Sequence, residues 1–247
     1  MRTFGLIGYP LSQSFSQKYF TAKFEREIID GVYHLLPIPS IDDFPALLQQ
    51  YPGISGMNVT IPYKEQVMPF LTSLNPVAAE IGAVNVIKFN WDGDKPTLTG
   101  YNTDTIGFTR SIEPFLKSHH TKALILGTGG AAKSVAYSLG KLGLVCTYVS
   151  RTPVDDTMLT YARLNDALLK EYTVIVNASP LGMYPKVDAC PDIPYHLLTS
   201  EHLLYDLVYN PEVTLFLQKG LERGAAIKNG LEMLHIQADE AWKIWNE

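Results

Sequence analysis

The chain has 247 residues, 46% hydrophobic and 18% charged, which is enough apolar content for a sizeable core and argues against disorder. Its formal net charge is −5, with no basic run or tail, which argues against general nucleic-acid binding and leaves any anionic ligand to a local cluster of donors. No run approaches the ~18 apolar residues of a membrane helix, no secretory signal or metal-ligand spacing is present, and Cys146 and Cys190 form no CxxC pair, so the expectation is a soluble protein of the reducing cytoplasm.

In chain order, Thr3 to Gly8 reads as a strand, broken by Gly8-Tyr9-Pro10. A helical pattern follows through Phe15, Tyr19, Phe24 and Ile28. Its start carries Ser12, Ser14 and Ser16. One serine suffices as an N-cap, and two hydroxyls beside free helical N–H groups equally make a carboxylate cradle. Both readings stand on the residues alone. Val32 to Ile38 reads as a second strand and Ile41 to Gln50 as a helix, with Asp42 and Asp43 favourable to its dipole. Gly56 to Thr60 is a third strand. Pro62 suits a helix start, which predicts Lys64 in the first turn after a strand end, where open α/β sheets place their sites. The plainer reading of Lys64 is a solvated lysine. Asn75 to Ile81 reads as a short helix, Val84 to Phe89 as a strand and Trp91 to Pro96 as a turn. A further strand from Leu98 leads into a helix through Ile106, Phe108, Ile112 and Leu116, with Asp104 at its start as cap or functional carboxylate.

The apolar run Ala123 to Leu126 suits a strand buried on both faces. Gly127-Thr128-Gly129-Gly130-Ala131-Ala132 follows and fits the pattern G-x-G-x-x-G/A. Val135, Leu139 and Leu142 continue at helical spacing, Gly143 closes the helix, and Leu144 to Val149 is the next strand. Strand, glycine turn, helix and strand in this order make a dinucleotide site, with helix N–H groups aimed at the pyrophosphate. The bland alternative is a glycine turn that holds no cofactor. An NAD site would carry Asp or Glu at the end of the second strand. Here Ser150-Arg151-Thr152 stands there, and a guanidinium suits a 2′-phosphate through bidentate, charge-assisted bonds, which favours NADP(H). The stretch from Thr152 to Lys170 is ambiguous. Thr173 to Ala178 and His202 to Val208 read as strands, Val213 to Glu222 as a helix, Ala225 to Ile227 as a short strand, and Gly230 to Trp245 as a closing helix.

Several of these segments, in this order, resemble the shikimate dehydrogenase family over nearly the whole chain. They are Gly8 to Ser16, Asn58-Val59-Thr60-Ile61-Pro62-Tyr63-Lys64, Gly82-Ala83-Val84-Asn85, Gly100-Tyr101-Asn102-Thr103-Asp104, Asn177 to Met183, Asp206 to Pro211 and Gly230 to Gln237. The resemblance implies an α/β protein with an N-terminal substrate-binding domain, residues 1–103 with 231–247, and a Rossmann-type doubly wound NADP-binding domain, residues 104–230, with the active site in the cleft between them. It implies Lys64 and Asp104 as the catalytic pair. Ser14, Ser16 and Tyr209 would hold the substrate carboxylate, and Thr60, Asn85 and Gln237 its hydroxyls. NADP(H) contacts would come from Gly127, Gly129, Gly130 and Ala131, from Ser150, Arg151 and Thr152, and from Met183 and Gly230. Gln13, Gln17 and Thr105 depart from the family's usual histidine, proline and glycine, and the chain is short between Thr152 and Asn177.

The implied activity is reversible, NADP-dependent reduction of 3-dehydroshikimate to shikimate, a step of chorismate and aromatic amino acid biosynthesis, by a monomer or homodimer that binds neither nucleic acid nor membrane. Two rivals stand beside it. One is an NAD-using quinate/shikimate dehydrogenase, against which Arg151 argues. The other is a cofactor-binding homologue without turnover, against which the paired Lys64 and Asp104 argue.

Overall fold

The computed structural model describes residues 1–11, 14–93 and 95–247; Ser12 and Gln13 of the serine-rich segment, and Asp94, lie outside the described residues. The chain divides into two units, Met1–Thr103 with His235–Glu247, and Asp104–Leu234.

The first unit holds β1 (Arg2–Gly8), α1 (Phe15–Arg26), β2 (Gly31–Pro37), α2 (Phe44–Gln50), β3 (Gly56–Val59), β4 (Ser73–Leu74), α3 (Pro76–Ile81), β5 (Val86–Asp92) and β6 (Lys95–Tyr101). Its sheet runs in the order β2-β1-β3-β5-β6-β4. β1 is parallel to β2 and β3, whereas β5 is antiparallel to β3 and β6. Alternation along β1 sends Phe4 and Leu6 to one face and Ile7 to the other. Ile7 joins Phe44, Ile54, Met57, Val67 and Ile87. Phe4 joins Phe20, Phe24 and Tyr33, together with Ala238, Ala241 and Trp245 from the last helix, α8 (Leu231–Asn246). Gly56 makes room for that helix, since a Cβ there would fall 2.4 Å from the Trp245 ring.

The second unit holds α4 (Asp104–Ile112), β7 (Lys122–Leu126), α5 (Gly130–Lys141), β8 (Val145–Val149), α6 (Asp166–Glu171), β9 (Val174–Asn177), β10 (Leu203–Asp206), α7 (Leu215–Leu221) and β11 (Ala226–Asn229). All five strands are parallel, in the order β11-β10-β9-β7-β8. The continuous apolar runs follow from burial on both faces: Ala123 and Ile125 enter one core, and Leu124 and Leu126 the other. A single parallel bridge pairs Leu159 with Val149 on the outer side of β8. Counted with this bridge as a third strand, the order is that of a Rossmann sheet, 3-2-1-4-5-6, with its third strand reduced to one residue pair. The Leu159 end of that bridge falls in the stretch after Thr152.

Several local expectations are revised. Ile28 lies beyond the end of α1, at φ +54 and 93% exposed, so it is no part of the apolar stripe. The helix expected over 41–50 splits into a 3-10 turn, Ile41–Asp43, and α2, because Ser40 caps the first piece and Pro45 then starts a new helix. Residues 61–67 form successive turns instead of a helix, so Lys64 does not sit in a helical first turn. The turn expected over 91–96 is tighter, with Asp92 paired to Lys95 across Gly93 at φ +61. Asp104 is the first residue of α4 rather than the residue preceding it.

Candidate active site

In the first unit a chain of buried polar side chains includes Asn85 and Gln237, two of the six residues expected at the substrate. The Ser16 side chain lies near the Tyr33 phenol. Tyr33 donates to Asn58 Oδ1 at 2.7 Å, and Asn58 Nδ2 donates to the Asn85 carbonyl at 3.3 Å. Asn85 Oδ1 accepts the Thr103 N–H at 2.7 Å, while its Nδ2 donates to Thr103 Oγ1 at 3.1 Å and to Gln237 Oε1 at 3.3 Å. Tyr33, Asn58, Asn85, Thr103 and Gln237 are each less than 7% exposed. Buried polar groups of this density are stable only when mutually satisfied, and the network gives the carboxamides of Asn85 and Gln237 fixed orientations.

Ser14 is the N-cap of α1, its hydroxyl accepting the Gln17 N–H at 3.4 Å. The capping reading therefore holds for Ser14, whereas Ser16 lies inside the helix, near Tyr33. Thr60, half-buried, follows β3, and its carbonyl accepts the Tyr63 N–H at 2.9 Å.

Lys64 is half-buried in the turns after β3, and its carbonyl accepts the Val84 N–H at 2.7 Å, one residue before Asn85. Asn102 Nδ2 donates to the Ala83 carbonyl at 3.0 Å, and the Asn85 N–H to the Tyr101 carbonyl at 3.0 Å. The segments carrying Lys64, Asn85 and Thr103 are thus tied by backbone-level bonds. Asp104, directly after Thr103, is 4% exposed at the start of α4.

In the second unit the glycine turn lies at the switch point of the sheet, after β7 and beside the end of β9. Gly127 has φ +125, and a Cβ there would fall 3.1 Å from the Ala178 carbonyl, so a side chain is excluded on two counts. Gly129 is the N-cap of α5 with no side-chain cap, and a Cβ there would meet nothing within 4 Å. Open space over an uncapped helix start, where Gly130 and Ala131 open α5, fits a pyrophosphate. At the end of β8, Ser150 Oγ accepts the Thr152 N–H at 3.2 Å, shaping a turn that leaves Arg151 exposed.

Met183 is 49% exposed in the loop after β9, and Tyr209 is half-buried in the loop after β10, where burial raises its phenol. Gly230 has a packing reason of its own: a Cβ there would fall 2.3 Å from the Leu207 carbonyl oxygen. Burial pushes the Cys146 thiol up to about 11, as its packing role implies.

Tyr33 and Thr103 were missed as parts of the network. Tyr33 stands in an apolar-looking strand with nothing local to mark it. Thr103 was legible only as the residue before Asp104. A tyrosine in a buried strand is itself a signal, because its hydroxyl needs a partner.

A doubly wound parallel sheet with a glycine turn at its switch point defines a dinucleotide-binding α/β protein, here joined to a second unit that carries a buried carboxamide cluster. Residues 6–87 match the family model for the shikimate dehydrogenase substrate binding domain. The NADP(+) shikimate dehydrogenase of Desulforamulus reducens is 36% identical, over 98% of this chain and 88% of that protein. Among solved structures, the shikimate 5-dehydrogenase of Thermus thermophilus, crystallised with NADP(H) and shikimate, superposes with a TM-score of 0.85 at 30% identity, covering 99% of this chain and 93% of its own. The quinate dehydrogenase of Corynebacterium glutamicum, in complex with NAD, also gives 0.85, at 26% identity over 99% of this chain and 93% of its own. The chain belongs to the shikimate dehydrogenase family.

Proposed function

We propose that this chain is an NADP-dependent oxidoreductase that reversibly reduces 3-dehydroshikimate to shikimate, with the first unit holding the substrate and the second the cofactor. The observation that carries this reading is the buried network from Tyr33 to Gln237, which fixes two carboxamides and a hydroxyl in a form suited to a polyhydroxylated ring.

When bound, NADPH supplies the hydride that reduces the C3 carbonyl. Lys64 stabilises the alkoxide that develops on the carbonyl oxygen and delivers a proton to it. Asp104 orients the Lys64 ammonium. In the reverse direction Lys64 takes the hydroxyl proton. Asn85, Thr60 and Gln237 bind the ring hydroxyls, and Ser14, Ser16 and Tyr209 the carboxylate. Gly127, Gly129, Gly130 and Ala131 let the backbone approach the pyrophosphate, while Ser150, Arg151 and Thr152 meet the 2′-phosphate. Met183 and Gly230 complete the cofactor side.

An absorbance assay at the reduced nicotinamide band, crossing shikimate and quinate with NADP+ and NAD+, tests this. Turnover confined to, or strongly favouring, shikimate with NADP+ is expected. Preferred turnover of quinate with NAD+ would assign the chain to the other activity represented among its structural neighbours, and no turnover with any pair would leave a cofactor-binding homologue.

A further inference from the structure

The carboxylate of Asp206 lies at the end of β10, in a residue with no exposed surface. It has no place among the catalytic and ligand-binding roles above, yet hydrogen-bond donors converge on it from three directions. Asn177 Nδ2, at the end of β9, donates to Oδ1 at 2.9 Å; the Val208 N–H donates to the same oxygen at 3.0 Å; and Thr214 Oγ1 donates to Oδ2 at 2.6 Å. Thr214 is in turn the N-cap of α7, accepting the Leu217 N–H. Asn177 is fully committed. Its Oδ1 accepts both the N–H and the hydroxyl of Ser179, at 3.1 and 2.6 Å, and its Nδ2 also reaches the Leu181 carbonyl at 3.2 Å.

These bonds join two loops that follow neighbouring strands. The loop after β9 runs through Pro180, Leu181 and Gly182 to Met183; the loop after β10 runs through Val208 to Tyr209 and Asn210. Two further backbone bonds reinforce the seam, Leu207 N–H to the Asn177 carbonyl at 3.0 Å and Tyr184 N–H to the Asn210 carbonyl at 3.1 Å. Gly182 passes so near Thr214 that a Cβ would fall 3.6 Å from the Thr214 Cβ. Gly127 backs onto Ala178, and Gly230 onto Leu207, so the glycine turn and the start of α8 both abut the same seam.

We infer that Asp206 and Asn177 are positioning residues that weld the loops after β9 and β10 into one body, so that Met183 on the cofactor side and Tyr209 on the substrate side are set by a single buried carboxylate. The assignment of sides rests on the proposed function; the welding rests on the hydrogen bonds alone. A carboxyl held by three hydrogen bonds in a site shielded from water is a strong anchor. Removing it strands the donors of both loops at once.

The test uses the full chain with Asp206→Ala, Asp206→Asn and Thr214→Val. Asp206→Asn keeps an oxygen for Asn177 and Val208, and Thr214→Val removes only one donor, so at least one variant stays folded if Asp206→Ala does not. Amide hydrogen exchange without ligands should quicken in 179–184 and 207–211 together, by about ten-fold or more in Asp206→Ala and less in the other two, with the β7 and β9 amides unchanged. KM for NADP+ and KM for shikimate should rise together in the same variants, in the same rank order, with Asp206→Asn restoring most of the loss. Faster exchange in the loop after β10 alone would overturn the inference, as would coupled exchange with both KM values unmoved. If the unaltered chain turns over no shikimate, the functional reading falls, and the exchange pattern still decides whether the two loops are one body.

Discussion

Asn85 Oδ1 accepts the backbone N–H of Thr103 at 2.7 Å, so a carboxamide placed among the substrate-binding residues also holds the residue on which Asp104 follows. The same side chain reaches Gln237 of α8, so one amide ties together the residue before β5, Thr103 and the last helix. Asn85→Ala leaves the buried Thr103 N–H without that acceptor. The cost should be about 1–3 kcal/mol of stability, seen as an earlier thermal transition, with a raised KM for shikimate. A variant with unchanged melting would show that Thr103 finds another acceptor at no cost.

Lys64 is expected to act in the transition state rather than in ground-state binding. Lys64→Ala should lower kcat by roughly 10²–10⁴-fold with KM changed much less. Asp104→Asn should also be damaging, and the double variant should lose far less than the product of the single losses, because the two act as a unit. Steady-state kinetics on the three variants decides it, with folding followed by circular dichroism; preserved kcat in Lys64→Ala would sink the mechanism.

Arg151 is exposed and contributes little to the core. Arg151→Ala should therefore leave the melting temperature nearly unchanged. Loss of a charge-assisted pair with the 2′-phosphate costs about 1.5–3 kcal/mol, so NADP+ affinity should fall ten-fold or more while NAD+ affinity barely moves. Equal losses for the two cofactors, measured by titration calorimetry, would place Arg151 elsewhere than at the 2′-phosphate.

Asp206 gives a pH signature. Burial pushes its carboxyl up to about 7 from an ordinary 3.8, against the opposing hydrogen bonds from Thr214, Val208 and Asn177. A raised folded-state pKa means the folded chain keeps a proton that the unfolded chain has released. The stability this lends is whole below about pH 4 and is lost as pH rises towards about 7. Urea midpoints should fall over that window in the unaltered chain, and Asp206→Asn should flatten the fall. Parallel curves for the two proteins would assign the pH dependence to other groups.

Trp245 fills the space left by Gly56, packs against Phe4 with ring centroids 4.9 Å apart and planes tilted by 32°, and donates its indole N–H to the Ile87 carbonyl at 3.1 Å. Trp245→Ala should cost about 3–5 kcal/mol, the usual range for emptying a large buried aromatic. Chemical denaturation measures it directly, and a loss below about 1 kcal/mol would show that the helix end is not part of the core.

The second unit was the more legible in the sequence. Its strands are apolar runs buried on both faces, and the glycine turn announces both the strand before it and the helix after it. The reduced third strand could not be read, because a single bridge at Leu159 leaves no periodicity to detect. In the first unit, the turns at 61–67 mimic a helix start: a proline followed by polar residues satisfies the local rule, and tertiary bonds such as Val84 N–H to the Lys64 carbonyl decide otherwise. Lys64, Asn85 and Asp104 could be singled out as candidates from their motifs. The hydrogen bonds that connect their segments were not, since each joins residues far apart in the chain, as Asn85 does with Gln237.

The split of the first unit across the sequence has a consequence in time. Phe4, Phe20 and Phe24 emerge early during synthesis, yet the helix whose Ala238, Ala241 and Trp245 cover them is made only after the whole of the second unit. Through that interval an aromatic surface stands open to water and to other nascent chains. The second unit, continuous in sequence, can close its own core meanwhile. Synthesis therefore runs inside out: the inserted unit is complete before the helix that seals the Phe4 face has been made.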